Sequence, residues 1–575
     1  MSYLDSLKKW QAFDGLEKQW KEDLQLLMAD EKRAEDAFYK NLEFGTGGMR
    51  GEIGAGTNRM NTYTVRKASK GVADYVREAG KEAMERGIVI AHDSRRNSPE
   101  FALEAAKTFA ANGVKAYIYD GPRTTPQLSF TIRQLSAYMG IVVTASHNPP
   151  EYNGYKVYGE DGAQLNLEDA DAVIRYVNDA GDELSLKEGD EKSLRDSGMI
   201  VTIGENLDQA YLTALKTVQC HSDLLASTDL KAIFTPLHGA SGDTIRRLFK
   251  EIAYDHIQYV EEQMKPDGEF PTVSSPNPEE ASAFEYAIRQ GKESGAELLV
   301  AADPDGDRVG VAVLHDGDYR LLSGNQTGAI LLEYLLTQRK ERGDMPSNGR
   351  VFKTIVTSDL GKVIAEYHGA STEDVLTGFK FIGEKIKQYE ETGEYQFLFG
   401  YEESYGYLIK DFARDKDAIQ SVLAIVEAAA FYKTAGKTLV DVLHELYEQH
   451  GWYREGLVSV TKKGVAGAAA IKGSLEKLRQ EPLKEIGGIS VETQEDYSKQ
   501  ERSYTNGRSA ETLKLPKSNV IKYFLTDGSW VCVRPSGTEP KIKYYFSVKG
   551  STDGESEEKL YRLKEDFTDK MEKLF

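Results

Sequence analysis

Three short stretches of the chain carry residue types that chemistry needs. Asp303, Asp305 and Asp307 alternate in DPDGDR, directly after the apolar run Leu298 to Ala302. In an extended loop, every second side chain points the same way, and three hard carboxylate oxygens suit Mg²⁺ better than zinc. An EF-hand loop also opens on alternating Asp, but its sixth position must be Gly and its twelfth Glu. Arg308 and Leu314 stand there instead, so that reading fails. An Asp-rich turn that holds no ion is the plain alternative. Ser146 sits in TASHNPP immediately beyond Ile141 to Val143, where a strand end can hold a hydroxyl at the floor of a cleft. The Asn-Pro-Pro that follows stiffens the loop, and His147 is placed to orient or protonate a ligand. No His and Asp arrangement legible in the sequence completes a hydrolase triad around Ser146. Arg534, Ser536, Gly537 and Thr538 in VRPSGTEPK supply a guanidinium, two hydroxyls and an unobstructed backbone, which is phosphate-cradle chemistry. A type II turn accounts for Pro-Ser-Gly equally well.

Nucleotide signatures are absent. The stretch GFKFIGEK from Gly378 to Lys385 approaches the P-loop spacing but has Glu384 where Lys should be, and GAGTNR offers Arg59 in place of the third dinucleotide-loop Gly. The formal charge of −20 repels polyphosphate backbones, and no segregated basic face is visible, so nucleic acid is not an expected partner. Two cysteines, Cys220 and Cys532, are too few for a disulfide framework or a Cys-based zinc site and read as buried small residues. The N-terminus alternates charge with apolar residues, unlike a secretory leader. The most apolar helical segment, Ala418 to Tyr432, carries Gln420, Ser421 and Glu427 and falls short of a membrane span. The expectation is a soluble, cytoplasmic protein with no membrane partner.

The elements that must position these residues follow from the pattern. With 575 residues, and about 150 per domain, three or four domains are expected. Residues 1 to 43 read as amphipathic helices, and FGTGGMRGEIGAG from Phe44 to Gly56 then breaks any helix. Beyond it, short apolar runs end in polar loops and are usually followed by helices. These are Ile88 to Ala91 before HDSRRNSPE, Ile141 to Val143, Ala232 to Phe234 before TPLHGASG, Leu298 to Ala302, and Phe397 to Phe399 before GYEESYG. That succession predicts parallel α/β layers with ligands at strand carboxyl ends. From about residue 456, strands joined by tight turns and a closing helix predict an α+β module with an antiparallel sheet. The expected boundaries fall near 205, 322 and 455, giving segments 1–205, 206–322, 323–455 and 456–575.

The Ser-bearing loop, the Asp triplet and the Arg-Ser-Gly-Thr loop, in that order, resemble the α-D-phosphohexomutase family. The resemblance runs from FGTGGMRG at 44 to RPSGTEPK at 534 and rests most on TASHNPPEYNGYK and DPDGDR. Within the family the chain looks most like bacterial phosphoglucomutases of the group related to phosphopentomutases. The resemblance implies four domains around a central cleft, three related α/β domains and a C-terminal domain similar to the TATA-box-binding-protein fold. It implies that Ser146 carries a transferable phosphoryl group, and that Asp303, Asp305 and Asp307 bind Mg²⁺ together with that phosphoserine. Arg308 would steady the transferring group, with Arg50, His147 and Lys156 as positioning or proton-transfer residues. Glu402 and Ser404 would hold sugar hydroxyls, while Arg534, Ser536, Gly537 and Thr538 clamp the non-reacting phosphate. Lys380 and Lys416 would be further contacts.

The implied reaction interconverts glucose 1-phosphate and glucose 6-phosphate through glucose 1,6-bisphosphate, which is also the activator. The implied partner is a small phosphosugar. Lys156 can serve as base only if the site lowers its pKa. Two departures from the family pattern bear on substrate choice. Tyr401-Glu402-Glu403-Ser404-Tyr405 replaces the usual Gly-Glu-x-Ser-Gly, with rings that would narrow the pocket, and Gly47 stands where many relatives have Ser. A phosphopentomutase, a non-catalytic phosphosugar-binding protein and a phosphatase are the alternatives.

Overall fold

The computed structural model describes residues 2–575 apart from Thr46, Lys463 and residues 537–540. The chain divides into two compact units: residues 1–324, 379–400 and 404–438 form one, and residues 325–378, 401–403 and 439–575 the other.

The first unit holds two sheets. One has six strands in the order Met49–Glu52, Tyr152–Tyr158, Met139–Val143, Ile88–His92, Ala116–Tyr119, Ile200–Ile203. The other has five, in the order Asp318–Leu322, Val309–His315, Leu298–Ala302, Ala232–Thr235, Ile257–Tyr259. Ile88–His92, Met139–Val143 and Leu298–Ala302 are buried at every position, as strands covered on both faces must be, and this explains their unbroken apolar runs. Helix Ser98–Ala111, with Pro in its first turn, packs on the first sheet through Phe101, Ala105 and Phe109. Helix Ala418–Thr434 is buried on all sides as far as Ala430 and is capped by Asp417, so its apolar character is that of a core helix. Among the described residues, no helix is long and apolar enough to cross a membrane.

The expected succession of strand, loop and helix fails at three of the loops that carry chemistry, GYEESYG leading from Gln396–Glu402 into strand Gly406–Leu408. After Val143 the chain returns antiparallel as Tyr152–Tyr158, and after Ala302 it returns antiparallel as Val309–His315. Asn-Pro-Pro and Pro-Asp-Gly offer turn geometry: Asn148, Pro149 and Asp303 each precede a proline, which disfavours the helical region, and Gly306 is left-handed with φ of 66°. The sheets are therefore mixed. HDSRRNSPE and TPLHGASG do lead into helices, Ser98–Ala111 and Gly242–Glu251.

In the second unit, Gly349–Thr354 and Ser371–Val375 pair in parallel. A larger antiparallel sheet follows the order Trp452–Thr461, Lys541–Gly550, Trp530–Pro535, Ile521–Leu525, Ile489–Asp496, Glu501–Tyr504, Glu511–Thr512. The terminal helix Asp553–Glu572 covers it with Leu563, Phe567 and Met571. Cys532 is buried in this sheet as expected, but Cys220 is only half-buried.

Candidate active site

Ser146 lies at the end of Met139–Val143 with φ of 52°, in the left-handed region where a non-glycine residue pays a steric cost. It is 3% exposed, and its Oγ donates to Asp303 Oδ2 at 2.6 Å and lies 3.1 Å from His147 Nδ1. The strand end and the Asp loop thus meet across 157 residues of sequence.

The three carboxylates do converge, but not by the expected route. DPDGDR is a turn, not an extended segment. Gly306 N–H donates to Asp303 O at 2.9 Å, while the N–H groups of Asp307 and Arg308 donate to Asp303 Oδ1 at 3.0 and 2.9 Å. Gly306 has φ of 66°, and a Cβ there would stand 2.6 Å from Thr124 Cγ2, so only glycine fits. Ala240 N–H donates to Pro304 O and Ala418 N–H to Gly306 O, tying the turn to two other segments. Ligand atoms of Asp303, Asp305 and Asp307 lie within 4.8 Å of one another, all buried.

Those carboxylates fit a hard dication. Asp305 Oδ1 and Asp307 Oδ1 are buried with no hydrogen-bond donor, which is what acceptor-only oxygens show where a cation is the missing partner. Cationic side chains supply part of the balance. Lys156 reaches from the returning strand to Asp305 Oδ2 at 2.8 Å and Asp307 Oδ2 at 3.7 Å. Lys416 lies 3.1 Å from Asp307 Oδ2 and 3.0 Å from Asp415 Oδ1, and Tyr158 donates to Asp415 Oδ2 at 2.7 Å. Burial works against ionisation of Asp305, yet the Lys156 ammonium, together with hydrogen bonds from Asp303, Lys156 and Thr125, holds the carboxyl far below its usual range. Asp303 moves the other way, raised by burial and then by the charges of Asp305 and Asp307. Lys156 is raised despite its burial because both aspartates face it. The condition attached to Lys156 as a base is therefore not met while these carboxylates pair with it. His147 is pushed well below the usual imidazole range, first by burial and then by Arg308 and Arg50, so it is neutral at pH 7.

Arg308 donates to Glu279 Oε1 at 2.5 Å, and Arg50 donates to Asn148 Oδ1 at 3.2 Å beside the serine turn. Lys380 lines a cavity of about 190 Å³ with Asp161, Gln164 and Asp169, and burial lowers its pKa. Glu402 is buried and accepts from Gly378 N–H at 2.8 Å. Ser404 is half-buried and belongs to the other unit. Tyr401 does not act as a ring narrowing a pocket, contrary to expectation. It is wholly buried, filling space that a Cβ on Gly328 or Gly361 would occupy. Arg534 lies on Trp530–Pro535 opposite Lys543, and Ser536 N–H donates to Lys541 O at 2.8 Å. Gly537 and Thr538 lie outside the described residues.

Sequence reasoning missed several residues of the site. Thr125, at the start of helix Thr125–Gln134, donates to Asp305 Oδ2 at 2.9 Å, and its Thr-Thr-Pro reads only as a helix start. Asp93 and Arg95 stand in a loop singled out as a strand end, but their individual roles had no signal.

Most of the chain matches known proteins. Residues 41–183, 209–317 and 323–450 match the alpha/beta/alpha domains I, II and III of phosphoglucomutase/phosphomannomutase, and residues 475–570 match its C-terminal domain. The chain belongs to the phosphoglucomutase/phosphomannomutase family, the α-D-phosphohexomutases. The resemblance in the motifs is thus borne out, as is the expectation of three α/β domains and a C-terminal α+β domain. A phosphoglucomutase of Staphylococcus haemolyticus is 38% identical over 515 residues, 89% of this chain and 91% of that protein. One from Staphylococcus aureus strain USA300 is equally similar over the same shares. Among solved α-D-phosphohexomutase folds, parafusin, a phosphoglucomutase of Paramecium in its open form, superposes with a TM-score of 0.68 at 18% identity, covering 93% of this chain and 95% of that one. A family member from Burkholderia thailandensis superposes with 0.66 at 19% identity, covering 92% and 96%.

Proposed function

We propose that this α-D-phosphohexomutase is a phosphoglucomutase, interconverting glucose 1-phosphate and glucose 6-phosphate in the cytoplasm. The observation that carries the reading is the buried hydroxyl of Ser146 at 2.6 Å from Asp303, beside two carboxylate oxygens that lack donors. Relatives at 38% identity over nearly nine-tenths of the chain carry the name phosphoglucomutase, which supports the glucose phosphates as substrates.

In this proposal Ser146 works as phosphoserine. The Oγ–P bond breaks as a bond forms from phosphorus to the 6-hydroxyl oxygen of glucose 1-phosphate, giving glucose 1,6-bisphosphate. After the bisphosphate turns over, the phosphoryl group on O1 returns to Ser146 and glucose 6-phosphate leaves. Asp303, Asp305 and Asp307 would hold Mg²⁺ with the phosphoserine, and the bound ion would supply charge stabilisation to the transferring phosphoryl oxygens. Lys156, held protonated, and Arg308 offer cationic contacts to the same group, while Arg50 flanks the serine turn. In net terms the proton of the attacking 6-hydroxyl passes to the serine oxygen that the first transfer frees. His147, kept neutral with Nδ1 3.1 Å from Oγ, is an acceptor for that serine proton when Oγ takes the phosphoryl group back from O1, the proton then going to the O1 that is released. Glu402 and Ser404 would hold sugar hydroxyls, and Arg534, Ser536, Gly537 and Thr538 the idle phosphate, with Lys380 and Lys416 as further contacts.

The test pairs peptide mapping for phosphate on Ser146 with turnover of glucose 1-phosphate against ribose and deoxyribose 1-phosphates. Phosphate on Ser146 and preferred turnover of the hexose are expected. A large margin for the pentoses would make the chain a phosphopentomutase, and a bare Ser146 in active enzyme would remove it as the carrier.

A further inference from the structure

Ser146 holds an unfavourable backbone conformation, and the residues that hold it there are not its chain neighbours. Arg95 follows strand Ile88–His92, 51 residues before the serine, and its side chain is fully buried. Its guanidinium is spent almost entirely on main-chain carbonyls of the serine turn. Nη2 donates to Ser146 O at 2.5 Å and also to Asn148 O, while Nη1 donates to Pro149 O at 2.8 Å and Tyr152 O at 3.1 Å. Four carbonyls pointing inward at one place are sustainable only around a planar cation with several donors. Asp93, also fully buried, completes the cradle. It accepts from Thr144 Oγ1, and Thr144 Oγ1 in turn accepts from Ser146 N–H at 2.8 Å.

The cradle is closed from a distant segment. The Phe270 ring lies 5.0 Å from the Arg95 guanidinium carbon, and Phe270 itself is buried with φ of 46°. Its loop passes so close to the Arg95 backbone that a Cβ on Gly268 would stand 2.5 Å from Arg96 N.

We propose that Arg95, backed by Phe270, is a positioning residue for phosphoryl transfer: it fixes the left-handed turn that aims Ser146 Oγ at the aspartates. This rests on Ser146 as the phosphoryl carrier. An error of about 1 Å in a reacting atom is enough to cost about a hundredfold in rate.

Arg95→Lys keeps the charge and loses the fork. It is expected to lower kcat about a hundredfold with the KM for glucose 1-phosphate within about threefold, and to speed amide exchange in peptide 144–152. Arg66→Lys is the control, because Arg66 is also buried, at 6% exposed, and its side chain pairs with Glu104 and Leu186 O rather than with the serine turn. It is expected to cost similar thermal stability with kcat and exchange at 144–152 unchanged. Wild-type kcat in folded Arg95→Lys, or unchanged exchange at 144–152, overturns the proposal. Should Arg95→Lys fail to fold, Phe270→Leu leaves every polar bond of the cradle in place. A several-fold loss of kcat at constant KM with faster exchange at 144–152 is expected there, and wild-type values for both overturn the proposal. Failure of the underlying reading looks different: Ser146 would lack phosphate while exchange at 144–152 still answered to Arg95.

Discussion

The two turns that meet in the site reach their shapes by different means. In DPDGDR the left-handed position is a glycine, and the turn closes on its own backbone and on the Asp303 carboxylate. In TASHNPP the left-handed position is Ser146, the proposed phosphoryl carrier, and the turn is bonded to Arg95 and Asp93 from another strand end. A metal-binding turn can give its strained position to glycine because its working atoms sit on either side. In the proposed role Ser146 cannot yield its place to glycine, since the strained residue is the one that must carry the hydroxyl, so its cost is met by outside partners.

The comparison yields graded expectations. Removing the hydroxyl has the largest effect: Ser146→Ala should lower mutase activity by about a thousandfold or more while the fold persists, read by coupled assay and calorimetry. Next, Asp305→Asn removes a ligand and a counter-charge of Lys156. Activity should fall about a hundredfold, with the Mg²⁺ needed for half-saturation raised at least about tenfold in a metal titration. Gly306→Ala adds a Cβ where φ is 66° and Thr124 stands 2.6 Å away. It should cost about 2 kcal/mol or more of stability, read as a melting point lower by several degrees. The serine turn should answer in the opposite sense: Ser146→Gly should be about 1 kcal/mol more stable than Ser146→Ala, because only glycine relieves a φ of 52°. Equal stability of the two would mean that Arg95 and Asp93 do not hold the turn under strain.

The smallest effect concerns Asp417, the helix cap beside the Asp turn. Burial raises its pKa to about 6, although Gln420, Tyr211 and Ile419 all donate to it. The folded state therefore binds this proton more tightly than the unfolded chain, whose carboxyl titrates near pH 4. Its contribution to stability falls as pH rises between those values and levels off above them. Asp417→Asn should gain on the wild type in melting temperature between pH 4.5 and 6.5, and a difference that does not vary with pH would exclude this titration.

Much of the site was legible because short-range sequence patterns reflect short-range geometry. Strand ends at Ile141 to Val143 and Leu298 to Ala302 announce themselves by unbroken apolar runs, and loops beyond them by Pro, Gly and Asp. Thr125 and Arg95 were not legible, because a Thr before Pro and an Arg in a polar loop have many uses and their partners lie 180 and 51 residues away. The rings of Tyr401 misled for a related reason: whether an aromatic lines a cavity or fills a core depends on glycines such as Gly328 and Gly361, which lie far along the chain.

By itself, then, the sequence determined where the functional groups stand that a phosphoryl carrier, a hard-cation site and an anion clamp would call for, since such capacities reside in residue types. Tertiary structure decided which oxygens lack a donor, which lysine pairs with which aspartate, and what keeps Ser146 in a conformation its own chain disfavours. Each of these depends on distance and burial, and both are set by elements packed together from remote parts of the chain.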